Sequence, residues 1–199
     1  GFDSGNIDVL SINGTQARLK IKRDRDSAFF QWFHFRVSGA KGQQLELQIV
    51  GLNEAAYPLG WAGYNARVSE DRQFWGIAES RFDERSNDGT LTIRYTPQSD
   101  LCWFAYFAPY SAERHHDLIA RTAKSSGVDY RCLGTTLDGA DLDCLEMGTG
   151  PVHVWFYARQ HPGESMAEWF MEGVVDMLTD PANSTARELR RRCRLHLVP

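Results

Sequence analysis

Val152-His153-Val154-Trp155-Phe156-Tyr157-Ala158 runs directly into Arg159-Gln160-His161-Pro162-Gly163-Glu164-Ser165. The first seven residues form a nearly continuous apolar run, which reads as a central strand buried on both faces. The Pro-Gly pair then marks a loop. A helix is expected from about Glu164, because Met166, Trp169, Phe170, Val174, Met177 and Leu178 fall on one helical face, and Pro181 stops it. A strand, a short loop and a helix make half of an α/β layer unit.

The pattern continues on both sides of this unit. Downstream, Thr185 to Glu188 has capping-box spacing and opens a further helix, which leads to Leu195-His196-Leu197-Val198, a final strand. Upstream, Ser111 is a suitable N-cap for a helix through Leu118, Ile119 and Ala123 to about Lys124, with Gly127 as its stop. Strands follow at Tyr130–Leu137 and Asp141–Glu146, separated by the turn signal Asp138-Gly139. From about Pro109 onward the chain therefore alternates helix and strand, as an α/β domain with a mixed sheet does.

Before Pro109 the periodicity is different. Ala17, Leu19 and Ile21 alternate with Arg18, Lys20 and Lys22; Leu45, Leu47 and Ile49 alternate with Glu46 and Gln48; Leu91, Ile93 and Tyr95 repeat the pattern. The aromatic run Phe29–Val37 also suits a strand. Asn13-Gly14, Ser38-Gly39 and Asp88-Gly89 supply turns. Residues 1–108 thus read as an antiparallel β-sandwich, and residues 109–199 as a second domain.

Composition narrows the function classes. The 199 residues are 42% apolar and 24% charged, with a formal charge of −4. No uncharged apolar run approaches the ~20 residues that a bilayer requires, and the acidic balance argues against nucleic acid as the main partner. Arg190, Arg191, Arg192 and Arg194 read as a solvated helix face. Cys102, Cys132, Cys144 and Cys193 are scattered, without metal-knuckle spacing, which suits a reduced cytoplasmic setting. The chain opens without a basic stretch and apolar segment, so no secretory leader is expected here.

Chemistry concentrates in the loop after Ala158. His161 and Glu164, two residues apart, can bring an imidazole and a carboxylate to one point, and both are zinc donors. Equally, Glu164 can complement the dipole of the helix it precedes, with His161 an ordinary loop residue. A rival reading takes Gly163-Glu164-Ser165-Met166-Ala167 as a nucleophile elbow of a serine hydrolase, with Ser165 attacking and Asp176, Asp180 and His196 as the only nearby partners. Among the other histidines, His153 reads as a core or sheet-face residue, His115 and His116 as solvated helix residues, and His34 as part of the sandwich. His196 is the nearest downstream candidate for a third ligand.

Ala158–Ser165, with Trp169, Phe170, Met171 and Gly173, resembles the zinc-binding segment of M14 metallocarboxypeptidases, specifically their cytosolic branch. Phe2-Asp3-Ser4-Gly5-Asn6, Gln31–Phe35 and Phe104–Tyr110 are similar to further landmarks of that family and occur in its order. The resemblance implies zinc as cofactor, His161 and Glu164 as the first two ligands, and cleavage of C-terminal residues, acidic ones above all, from peptide or protein tails. It also implies that the third ligand, the general-base Glu and the pocket residues lie after a Val-Pro strand like Leu197-Val198-Pro199. The 199 residues alone are then expected to be inactive, and an unpaired sheet edge at Leu195–Val198 to promote oligomers. The competing class is a non-catalytic peptide-binding or protein-binding module built on the sandwich aromatics.

Overall fold

A computed structural model describes residues 1–86 and 89–199. The turn signal at Asp88-Gly89 lies partly outside the described residues. The chain divides into two compact units, Gly1–Pro109 and Tyr110–Pro199. Among the described residues strands outweigh helices, and β-sheets make the framework of both units.

The first unit carries β1 (Asp8–Asn13), β2 (Gln16–Lys20), β3 (His34–Ser38), β4 (Leu45–Val50), β5 (Arg67–Ser69), β6 (Gly76–Ile77), β7 (Glu79–Asp83), β8 (Thr90–Tyr95) and β9 (Leu101–Ala105). They form a five-stranded sheet ordered β1-β2-β4-β8-β7 and a four-stranded sheet ordered β3-β9-β5-β6. Alternation does what period-2 patterning requires: Leu19 and Ile21 are buried while Arg18, Lys20 and Lys22 are exposed. One expectation needs correcting, because β2 pairs with β4 in parallel, so the sheet is not antiparallel throughout. Both sheets contribute to one apolar cluster, with Leu19, Leu47, Ile49, Leu91 and Ile93 from the first and Phe35, Val68 and Phe104 from the second.

The aromatic run is a strand only from His34 onward. Phe30 and Phe33 are buried from irregular backbone, whereas Phe29 is exposed. Phe33 packs with the fully buried Trp61, with ring centroids 6.5 Å apart, and Trp61 meets Tyr64 and Tyr106 edge-on at 5.3 Å. Side chains this large find core space without ladder bonds, so an aromatic run did not require a strand. Phe2–Asn6 is tied to the same segment: Asn6 Nδ2 donates to the Trp32 carbonyl at 2.9 Å, and Trp32 Nε1 donates to that of Ser4 at 2.8 Å.

The second unit begins with α1 (Ala112–Ala123), capped by Ser111, whose hydroxyl accepts from the Arg114 amide. There follow β10 (Val128–Thr135), β11 (Asp141–Met147), β12 (Val152–Tyr157), α2 (Ser165–Thr179), α3 (Ser184–Arg192) and β13 (Cys193–Val198). The sheet order is β10-β11-β13-β12, antiparallel except for the parallel β12–β13 pair. Leu145, Met147, Leu195 and Leu197 pack on one face against Leu118, Met171, Val175 and Leu178 from the helices.

Four sequence expectations change here. β12 is an outer strand of this sheet, with Trp155 and Tyr157 exposed, because only β13 pairs with it among the described residues. β13, expected to leave an unpaired edge, is instead held between β11 and β12. α3 is capped by Asn183, whose side chain accepts from the Ala186 amide at 3.0 Å, one residue before Ser184 rather than at Thr185. The buried stripe of α2 is Ser165, Glu168, Met171, Val175 and Leu178, while Met166, Phe170 and Met177 face outward. Two polar members of that stripe hid it from a reading based on hydrophobicity.

Candidate metal centre

The β12 backbone leaves the sheet after Ala158, whose amide still donates to the Val198 carbonyl at 3.0 Å. Arg159 then adopts φ 54°, left-handed and unfavourable for a residue with a Cβ, and turns the chain. The loop returns to α2 through Glu164, whose amide donates to the His161 carbonyl at 3.0 Å. Glu164 occupies the N-cap position, but its side chain makes no capping bond. Its carboxylate Oε2 instead lies 3.0 Å from His161 Nδ1. Both side chains face solvent, with relative exposures of 77% and 50%. The structure therefore brings together the two residues singled out by spacing. A nitrogen and a carboxylate donor on a solvent-facing loop form a set that zinc accepts, so the residues present fit the metal.

The serine-hydrolase arrangement is not assembled. Ser165 is wholly buried at the start of α2. Asp176 Oδ1 accepts from Arg121 Nη1 at 2.6 Å, and His196 is engaged with His153 and Glu146. A nucleophile must be reachable, and the buried Ser165 is not.

A second cluster, Cys144, Glu146 and His196, lies on the sheet face opposite the helices, with ligand atoms within 4.8 Å of one another. Its imidazole and carboxylate atoms are already committed. His196 Nδ1 meets Glu146 Oε1 at 3.1 Å and its Nε2 meets His153 Nδ1 at 2.9 Å, while Trp155 stacks on the ring with centroids 4.2 Å apart. Glu146 also accepts from Arg194 at 2.9 Å and Arg131 at 3.3 Å, and the Arg194 bond, followed by the contact with His196, holds its carboxyl below the usual carboxylate range against the effect of burial. Two guanidiniums on the only carboxylate oppose a cation there, so this is a satisfied polar network.

His115 corrects another expectation. Read as a solvated helix residue, it bridges two buried carboxylates: Nδ1 lies 2.8 Å from Glu168 Oε1, and Nε2 lies 2.8 Å from Asp143 Oδ2. Tyr130 donates its hydroxyl to the other Asp143 oxygen at 2.8 Å. A carboxylate on each ring nitrogen favours the form in which both nitrogens donate. The Glu168 bond, ahead of the Asp143 bond, raises the His115 pKa against the opposing effect of burial. The other Glu168 oxygen accepts from Arg159 Nη1 at 2.7 Å. His116, by contrast, is exposed as expected.

Sequence reasoning missed Arg159, Glu168, His115, Asp143 and Tyr130 as a group. The one available signal was an acidic residue, Glu168, inside an otherwise apolar helical stripe.

Comparison with known proteins follows the same lines. Residues 1–107 match the family model described as the cytosolic carboxypeptidase N-terminal domain. Over its whole length the chain is 56% identical to an uncharacterised protein of Zymomonas mobilis, of which it covers 51%, and 24% identical to human cytosolic carboxypeptidase 1, of which it covers 20%. Among solved structures it superimposes in full on a metallo-carboxypeptidase from Burkholderia cenocepacia, with a TM-score of 0.93 and 39% identity, covering 53% of that chain. A Pseudomonas aeruginosa metallo-carboxypeptidase in complex with (2-guanidinoethylmercapto)succinic acid gives a TM-score of 0.92, 39% identity and the same 53% coverage. The fold is that of metallo-carboxypeptidases. The chain belongs to the M14 cytosolic carboxypeptidase-like family. It spans about half the length of the bacterial relatives it matches. No helix among the described residues is long and apolar enough to cross a membrane.

Proposed function

We propose that this chain is the first half of a cytoplasmic zinc metallocarboxypeptidase that removes C-terminal residues from peptide or protein tails. Residues 1–108 then form a β-sandwich and residues 109–199 the opening part of an α/β catalytic domain with a mixed sheet. One observation carries the reading: His161 and Glu164 converge at 3.0 Å on the loop that joins β12 to α2. Both serve as metal ligands. Zinc held there supplies a Lewis acid that polarises a scissile carbonyl and acidifies a bound water. The protein's own part is to fix the imidazole and the carboxylate side by side on one loop. The third ligand and the general base belong to the segment that relatives of twice this length carry beyond the matched half.

The test is made on the full-length protein. His161→Ala and Glu164→Ala each lose the metal by elemental analysis and lower kcat/KM on C-terminal peptides by at least about 1,000-fold, a loss of the size ascribed to metal catalysis. Full activity in either variant overturns the assignment. The 199 residues alone turn over no peptide. Side-chain preference is read by comparing peptides ending in glutamate, lysine and leucine, with glutamate favoured. The guanidinium and two carboxylates of the compound bound to the Pseudomonas relative suit either charge preference.

A further inference from the structure

We infer that Glu168, held in place by His115, is a positioning residue for the metal loop and acts on it through Arg159. The inference rests on the zinc reading above and deepens it.

Arg159 lies between the strand and the ligands, in a backbone conformation that a residue with a Cβ adopts only when its surroundings compel it. Its guanidinium supplies that constraint. Nη1 donates to Glu168 Oε2 at 2.7 Å and to the Tyr110 carbonyl at 2.9 Å, and Nε donates to the Pro162 carbonyl at 3.1 Å. Pro162 stands between His161 and Glu164. The same planar group that pairs with the buried carboxylate therefore grips the loop backbone between the two ligands.

Glu168 can serve as the anchor because its own position is fixed. It is 3% exposed, one helical turn after Glu164 on α2, and its second oxygen lies 2.8 Å from His115 Nδ1. His115 passes the restraint to Asp143 on β11, which Tyr130 on β10 also holds. Each carboxylate thus has two partners, His115 and Arg159 on Glu168, and His115 and Tyr130 on Asp143. A line of bonds thus runs from the sheet through α1 and α2 to a loop whose two ligands are themselves exposed. Exposed side chains on a Pro-Gly loop have no packing to hold them, and metal affinity depends on such outer support. A salt bridge serving stability alone would not need Arg159 Nε on the loop's own carbonyl.

The full-length protein, stripped of metal and reloaded with zinc against a competing chelator, tests this with three variants. Glu168→Gln removes the charge that anchors Arg159. Arg159→Lys keeps a cation for Glu168 but lacks the fork that reaches Pro162. His161→Ala removes a ligand. Glu168→Gln and Arg159→Lys are each expected to weaken zinc binding about 10-fold to 100-fold, to shift the visible absorption of the cobalt-loaded protein, and to leave the metal-free protein folded at the assay temperature. If both bind zinc as wild type does while His161→Ala does not, the positioning role is overturned and the zinc site stands. If His161→Ala itself binds as wild type does, the zinc site falls and this inference falls with it. Should Glu168→Gln fail to fold, Arg159→Lys decides alone.

Discussion

Two imidazoles in this chain, His34 buried and His115 half-buried, are pushed in opposite directions by their surroundings. His34 meets the Ser4 hydroxyl at 2.8 Å through Nδ1, with the rings of Phe2 and Trp75 set edge-on around it. Burial, and secondarily the Arg72 charge, lower its pKa from 6.5 to about 4, with Asp3 a smaller opposing influence. Its folded pKa lies below its unfolded one, so the stability gained by keeping the ring neutral is complete above pH 6.5 and is lost as pH falls toward 4. The loss amounts to about 3 kcal/mol, and urea midpoints of the first unit followed by tryptophan fluorescence will record it; His34→Phe flattens the profile. His115 behaves inversely. Its raised pKa means that its contribution is complete below the unfolded value and disappears as pH rises through the folded one, so the second unit weakens on the alkaline side. Circular dichroism melts above neutral pH should show that slope in the wild type and lose it in His115→Gln. None of this was legible in the residues, because the His115 partners lie 28 and 53 positions away along the chain.

Among the elements, those with one dry face and one wet face were the easiest to read. β2, β4 and β8 alternate in burial as their side chains alternate in polarity, and α1 begins at the cap its sequence advertises. α2 was found as a helix but turned to the wrong face. Its inward stripe includes Ser165 and Glu168, whereas Met166, Phe170 and Met177 are exposed. Phe170→Ser should therefore change stability by less than about 0.5 kcal/mol, while Met171→Ala costs about 2–5 kcal/mol. Thermal melts of the two variants compare them directly, and a large loss from Phe170→Ser would put the assigned face in error. The β11–β12 connection was unreadable for a different reason, since its constraint comes from a distant backbone. A Cβ on Gly150 would lie 1.9 Å from the Arg192 carbonyl carbon. Gly150→Ala should cost about 2–4 kcal/mol by the same measurement, because backbone on both sides has to move. The candidate ligands were legible because they are neighbours in sequence, whereas the residues that support them are not.

At the scale of the whole molecule, each unit has its own apolar cluster, and the family match ends two residues before the first unit does. Residues 1–109, expressed alone, are expected to give a single sigmoidal urea transition; a gradual, non-cooperative loss of fluorescence would show that this core does not suffice by itself. The change from period-2 to helical patterning near Pro109 is a local signal in the sequence, whereas strand order within each sheet depends on pairings between distant segments. β13 illustrates the point, for it is the latest of its four strands in sequence and yet sits inside the sheet. The order of synthesis then sets an order of assembly. On a ribosome the hairpin of β10 and β11 can close early, but the one partner that β12 has among the described residues, β13, emerges a few seconds later at ~5–20 residues per second. Through that interval Trp155, Phe156 and Tyr157 are chaperone-accessible, and the loop bearing His161 and Glu164 hangs from a strand that does not yet belong to a sheet.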